Sequence, residues 1–166
     1  MTKTASTTAN PTSWATAAGR AVVERAAATN GARERQEATA ARVREVGAAE
    51  GPRWFDEFVA CLGSAVRAFN ATIGRDVVRV VPRDGSTGLV IRCDGSNASL
   101  WASWVGSEAP GLYFAERVCG RDVMRSFPCA VDEDGALAVS LAGEAVGPAA
   151  AAERLLAPWL RGLVVR

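Results

Sequence analysis

From Asp76 to Ala142 apolar and polar residues alternate with a period of two, and the alternating stretches are cut by turn-forming pairs. The alternation predicts strands at Val77–Val81, Leu89–Cys93, Ala98–Val105, Leu112–Val118, Val123–Val131 and Ala136–Leu141. Between them lie Asp84-Gly85, Asp94-Gly95, the segment Gly106–Gly111 and Asp134-Gly135, which are hairpin chemistry, and none of the gaps can hold a crossover helix. An antiparallel meander of five or six strands is therefore expected.

On both sides of this region the period becomes helical. Gly51-Pro52-Arg53 reads as a boundary with proline placed to open a helix. Beyond it Trp54, Phe55, Phe58, Val59, Leu62, Val66 and Phe69 fall on one wide face, and Asn70 to Gly74 supply the residues that end a helix. After Gly147-Pro148 a second stripe runs through Leu155, Leu156, Trp159, Leu160, Leu163 and Val164, with a kink expected at Pro158. Upstream, residues 14–47 form an Ala/Arg-rich helical arm that Asn30-Gly31 is expected to split, and residues 1–13 read as a disordered tail. The expected fold is α+β: residues 52–166 form a meander sheet packed on an N-terminal and a C-terminal amphipathic helix, preceded by the arm.

Alternation also sorts the strands into two faces. Val78, Val80, Leu89, Ile91, Cys93, Leu100, Ala102, Trp104, Leu112, Phe114, Leu137, Val139 and Leu141 make the core face. The opposite set is Val77, Arg79, Val81, Val90, Arg92, Trp101, Ser103, Val105, Tyr113, Ala115 and Arg117. Such a mixture of arginine, aromatic and valine calls for a cover or a partner. Three covers fit it: the arm folded back with arginines stacked on Trp101 and Tyr113, a second protein or second copy of the chain, or a nucleic acid or phosphorylated ligand.

Composition narrows the choice. Nineteen basic and eighteen acidic side chains leave a net charge of +1, which supplies little of the long-range attraction that nucleic-acid binding draws on. There is no histidine, which removes the Ser-His-Asp and Cys-His catalytic sets, metalloprotease-type zinc sites and imidazole-held haem. Lys3 is the only lysine, so a Walker-type loop or a Schiff-base lysine is not expected either. No cofactor or metal is expected, and what survives is carboxylate, arginine, hydroxyl and thiol chemistry. The abundance of Ala, Arg, Gly and Val points to a GC-rich bacterial genome. No signal-peptide or membrane-spanning run occurs, and a cytoplasmic location is expected.

The remaining motifs have ordinary structural explanations. Cys61, Cys93, Cys119 and Cys129 lack metal-site spacing and read as reduced thiols. Asp132-Glu133-Asp134-Gly135 reads as a hairpin turn rather than a cation loop, and Asp56 and Glu57 as first-turn acids complementing a helix dipole. Arg33, Arg35, Arg42 and Arg44 are interleaved with acids, as on a salt-bridged solvent face, and Ser64 is in no nucleophile elbow. Glu108 and Glu116 are the acids to check for catalytic pairing. The sequence thus favours a non-enzymatic protein-interaction module, self-associating through the arm or the second sheet face. Arg79, Arg92, Trp101, Tyr113 and Arg117 would be its contact residues. The alternative is an anionic-ligand-binding protein or histidine-independent enzyme, with Arg79, Arg92 and Arg117 in a pocket between sheet and helices.

Overall fold

A computed structural model describes residues 11–82, 88–106, 109–118 and 121–163. Its elements, in chain order, are α1 (Pro11–Ile73), β1 (Val78–Pro82), β2 (Gly88–Cys93), β3 (Ser99–Val105), β4 (Gly111–Val118), β5 (Arg121–Val131), β6 (Leu137–Leu141), β7 (Glu144–Val146) and α2 (Pro148–Gly162). The α+β class and the antiparallel meander agree with the alternation. There are seven strands, in the sheet order β1-β2-β3-β4-β5-β6-β7, rather than five or six. The extra strand, β7, returns from Leu141 through Ala142-Gly143, whose φ angles are 53° and 85°. A two-residue hairpin loop with two positive φ angles is normally built from Asn or Gly, so an Ala-Gly pair gave no turn signal.

The chain divides into one unit up to Ala41 and another from Arg42 onward. In the first, the described side chains from Ala15 on are exposed except for half-buried Gly31, and Val22 and Val23 face solvent. Here Arg33 pairs with Glu37 at 2.8 Å and Arg35 donates to the Gly31 carbonyl at 3.0 Å. Asn30-Gly31 does not split the helix. The cost of a glycine inside a helix is only about 1 kcal/mol, which a long helix absorbs. Residues 1–10 of the expected tail lie outside the described residues, while Pro11–Ser13 are helical.

In the second unit the expected boundary at Gly51-Pro52 is also interior to α1. Its glycines serve close approach. A Cβ on Gly47 would fall 2.7 Å from two carbons of the Pro110 ring, and one on Gly51 would enter the indole of Trp104. The pair is spaced four apart, on one helical face, and lets the helix backbone settle onto the sheet. Because the helix is already running, Asp56 and Glu57 are mid-helix residues, not first-turn acids, and Glu57 accepts from Arg53 at 3.1 Å.

Further along this face Trp54, Phe55, Phe58, Leu62 and Val66 are buried, with the Trp54 ring 5.6 Å from both Phe58 and Trp104. At the end of α1, Gly74 has φ 74°, its N–H donates to Ala71 and the Arg75 N–H donates to Asn70. That double bond pattern closes the helix where its Asn and Gly predicted. The buried Asn70 side chain then accepts from the Val77 and Val78 N–H groups and donates to the Val78 carbonyl at 2.8 Å.

The predicted core face is the one that packs on the helices. All its members are buried except Val80, which is partly buried against the same cluster. α2 completes the core with Ala151, Ala152, Leu155, Leu156 and Trp159, and its helix runs through Pro158. Val77, assigned by alternation to the opposite face, is instead buried with the core. It precedes β1, so the pleat does not fix its direction.

Candidate binding face

The strand register assembles the second face in rows that cross the sheet. One row is charged: Arg79 opposes Arg92, Arg92 opposes Ser99, Ser99 opposes Arg117, and Arg117 opposes Asp122. The next is apolar: Val81, Val90, Trp101, Ala115 and Met124. A third carries Gly88, Ser103, Tyr113 and Ser126. The twisted strands hold a concavity of about 600 Å³ over the first two rows, lined by Val81, Val90, Arg92, Trp101, Arg117 and Met124 among others.

Two of the three predicted arginines are occupied. Arg79 is 2.9 Å from Asp94 in the β2–β3 hairpin, which relieves its placement directly opposite Arg92. Arg117 makes a two-pronged bond to Asp122, at 2.8 and 3.0 Å. The hydrogen bonds from Arg117 hold the Asp122 carboxyl below its ordinary range, so the acid in the trough stays charged. Among the described residues, no acid pairs with Arg92.

Of the five predicted contact residues, Arg92, Trp101 and Arg117 line the trough, Arg79 turns to Asp94, and Tyr113 stands half-buried one row away. The three arginines do not line a pocket between sheet and helices, because their strand positions alternate with the core residues and place them on the other face. A depression that does lie between α1 and the sheet, about 340 Å³ beside Phe55, Val59, Val80 and Trp104, is lined by Asp56 but by no arginine.

Missed by the sequence reasoning were Ser99, Asp122 and Met124. The alternation of β5 could have placed the last two, but Arg121, Val123 and Arg125 on one side and Asp122, Met124 and Ser126 on the other give no apolar face to anchor it. Side chains from Arg121 to Ser126 are exposed on both sides.

The other candidates resolve into local roles. Asp132 accepts from the N–H groups of Asp134 and Ala136, which closes the β5–β6 turn. Ser64 donates back to Ala60 and accepts from Arg67. Glu116 is half-buried on the side of the sheet opposite Arg117, while Glu108 and Cys119 lie outside the described residues. Cys93 is buried, and burial pushes the Cys129 thiol up to about 11, against thiolate chemistry at neutral pH. Among the described residues, no group of three potential ligands is placed to hold a metal ion, and no helix is long and apolar enough to cross a membrane.

No family model matches the chain, and comparison with curated proteins and with solved structures gives no match.

Proposed function

We propose that the chain is a non-enzymatic protein-binding module whose second sheet face receives an amphipathic helix of a partner. The observation that carries this is the apolar row from Val81 through Trp101 to Met124, bordered by an arginine that no acid of the described residues holds. Five strands at about 4.8 Å spacing give the row a length of about 19 Å, which matches about twelve residues of helix. Apolar side chains at helical spacing would cover Trp101 and its neighbours, and an acidic residue on the flank would meet Arg92. Trp and Arg together are the residue types that dominate binding energy at interfaces.

Selection from a displayed library of helical peptides tests the proposal. The expected result is enrichment of amphipathic sequences with an acidic flank that lose binding to Trp101→Asp and weaken about tenfold or more on Arg92→Ala. Peptides that bind the Trp101→Asp variant equally well would overturn it. Arg92 and the trough volume also favour a second ligand class, an anionic small molecule, since about 300–1,000 Å³ is the ordinary range of such sites. Thermal stabilisation by a small carboxylate or phosphate, abolished by Arg92→Ala and accompanied by no peptide binding, would establish that class instead.

A further inference from the structure

Among the described residues the sheet has one long edge stretch without a strand partner, and we propose that a second copy of the chain pairs with it. β5 is shared between two partners: Arg121–Pro128 pairs with β4, whereas only Cys129–Val131 pairs with β6. The rest of its β6-facing side has no registered strand partner among the described residues, and beyond the reach of β6, from Arg121 to Ser126, no strand is paired with it. The backbone directions follow from two bonds. Cys129 donates to the Pro110 carbonyl, so odd-numbered residues of β5 turn their N–H and C=O toward β4. Asp132 donates to Ala136 across the β5–β6 turn, which agrees with even-numbered residues turning the other way. Asp122, Met124 and Ser126 therefore present their backbone groups outward. Pro128 shares that orientation, so its missing N–H costs no bond to β4.

The other edges are shorter or partly capped. On β1, Val78 has both its outward groups bonded to the Asn70 side chain and Pro82 has no N–H to offer, which leaves Val80 as the outward donor. β7 is only three residues long. Proteins ordinarily blunt exposed edges by such devices; over Asp122–Ser126 β5 has no side-chain cap and no proline, and its one acid, Asp122, is already tied to Arg117, which leaves Arg125 as the charge on the edge.

Side-chain chemistry selects the partner and the register. A two-fold axis through the edge pairs β5 with its own copy in antiparallel sense, and outward residues must meet outward residues. Two registers use the longest stretch. Centring on Arg125 opposes arginine to arginine across the axis, which is unfavourable. Centring on Met124 opposes Met124 to itself, Asp122 to Ser126, Val123 to Arg125 and Arg121 to Phe127, with no like charges directly opposite, the arginines of the two copies meeting only as the more distant diagonal neighbours. Met124 is the large apolar side chain most open to solvent among the described residues, at 69 %. It also ends the apolar row of the trough, so the paired copies would join their rows across the axis. The proposal does not depend on what the trough binds.

Sedimentation velocity of the full chain, run across a concentration series, tests the pairing with Met124→Glu and Met124→Lys. A dimer is expected for the unmodified chain. Each variant alone should weaken it by roughly tenfold or more, because two like charges meet on the axis, and an equimolar mixture should restore it. Circular dichroism checks that both variants keep the fold, as the exposure of Met124 leads one to expect. A chain that stays monomeric at the highest concentration overturns the pairing, as does a dimer indifferent to both variants or one lost only on changing Val22 and Val23. Trp101→Asp should leave the dimer intact, which separates failure here from failure of the trough proposal.

Discussion

Gly51 lies directly beneath the indole of Trp104, and no room for a methyl group remains between them. The contact explains why a helix tolerates Gly47 and Gly51 in sequence with Pro52: helix propensity is given up so that the backbone can reach the sheet. Gly51→Ala is expected to lower unfolding free energy by about 1–3 kcal/mol through overpacking, despite alanine's better propensity. Gly63, in the same helix, has only an arginine nitrogen at 3.5 Å from a built Cβ. Gly63→Ala should therefore raise stability by about 0.5–1 kcal/mol. Urea unfolding of the pair checks both signs.

Asn70 stands in for a strand neighbour of β1. Replacing it by leucine, of similar size, leaves the N–H groups of Val77 and Val78 and the Val78 carbonyl unpaired next to the core. Buried unsatisfied groups cost about 1–3 kcal/mol each, so Asn70→Leu should destabilise by about 2–4 kcal/mol after relaxation and water entry are allowed for. Faster amide exchange at Val77 and Val78 than in the parent chain, with Arg79 and Val81 unchanged, would confirm the cause.

Ala142 is the one described non-glycine residue with positive φ. The left-handed conformation costs an ordinary residue about 1–2 kcal/mol, and asparagine less. Ala142→Asn should raise the thermal midpoint, by an amount equivalent to about 0.5–1 kcal/mol, without altering the far-ultraviolet spectrum. No change, or a loss, would mean that the turn does not carry the strain.

Much of the fold was legible because the hydrophobic pattern is strong where the sheet packs on helices: the core positions of β1–β4 and β6 are where alternation put them. The two misplaced boundaries have different causes. Gly51-Pro52 looks like punctuation but serves close packing, which only the presence of Trp104 across from Gly51 reveals, whereas Gly31 has no neighbour and is simply carried by a long helix. β7 was hidden because three residues carry no period. At the trough, Arg92, Trp101 and Arg117 were legible through alternation, whereas the tie between Arg79 and Asp94 and the role of Met124 depend on register and on the end of β6, which no local pattern encodes.

Cys129 gives a pH dependence with a definite sign. Its folded value, about 11, lies above its ordinary value of 9.0 because burial disfavours the thiolate. Between those values the native state holds the proton that the unfolded chain has released, so stability is complete below pH 9 and falls as pH rises toward 11. The fall should be on the order of 1 kcal/mol once the partial exposure of the side chain is discounted. Denaturant midpoints measured from pH 8 to pH 11 should show a shallower decline for Cys129→Ala than for the parent chain. Iodoacetamide at pH 8 should modify the residue slowly in the native state and quickly in urea.

Because every strand's neighbour in the sheet is also its neighbour in the chain, pairing can begin as each hairpin leaves the ribosome. The core cannot close on the same schedule. Leu155, Leu156 and Trp159 arrive only after Leu141, and at about 5–20 residues per second that interval is about 1–4 s. During it a nascent sheet carries an apolar face that α1 covers only in part, so the arrival of α2 sets how long that face remains open to aggregation.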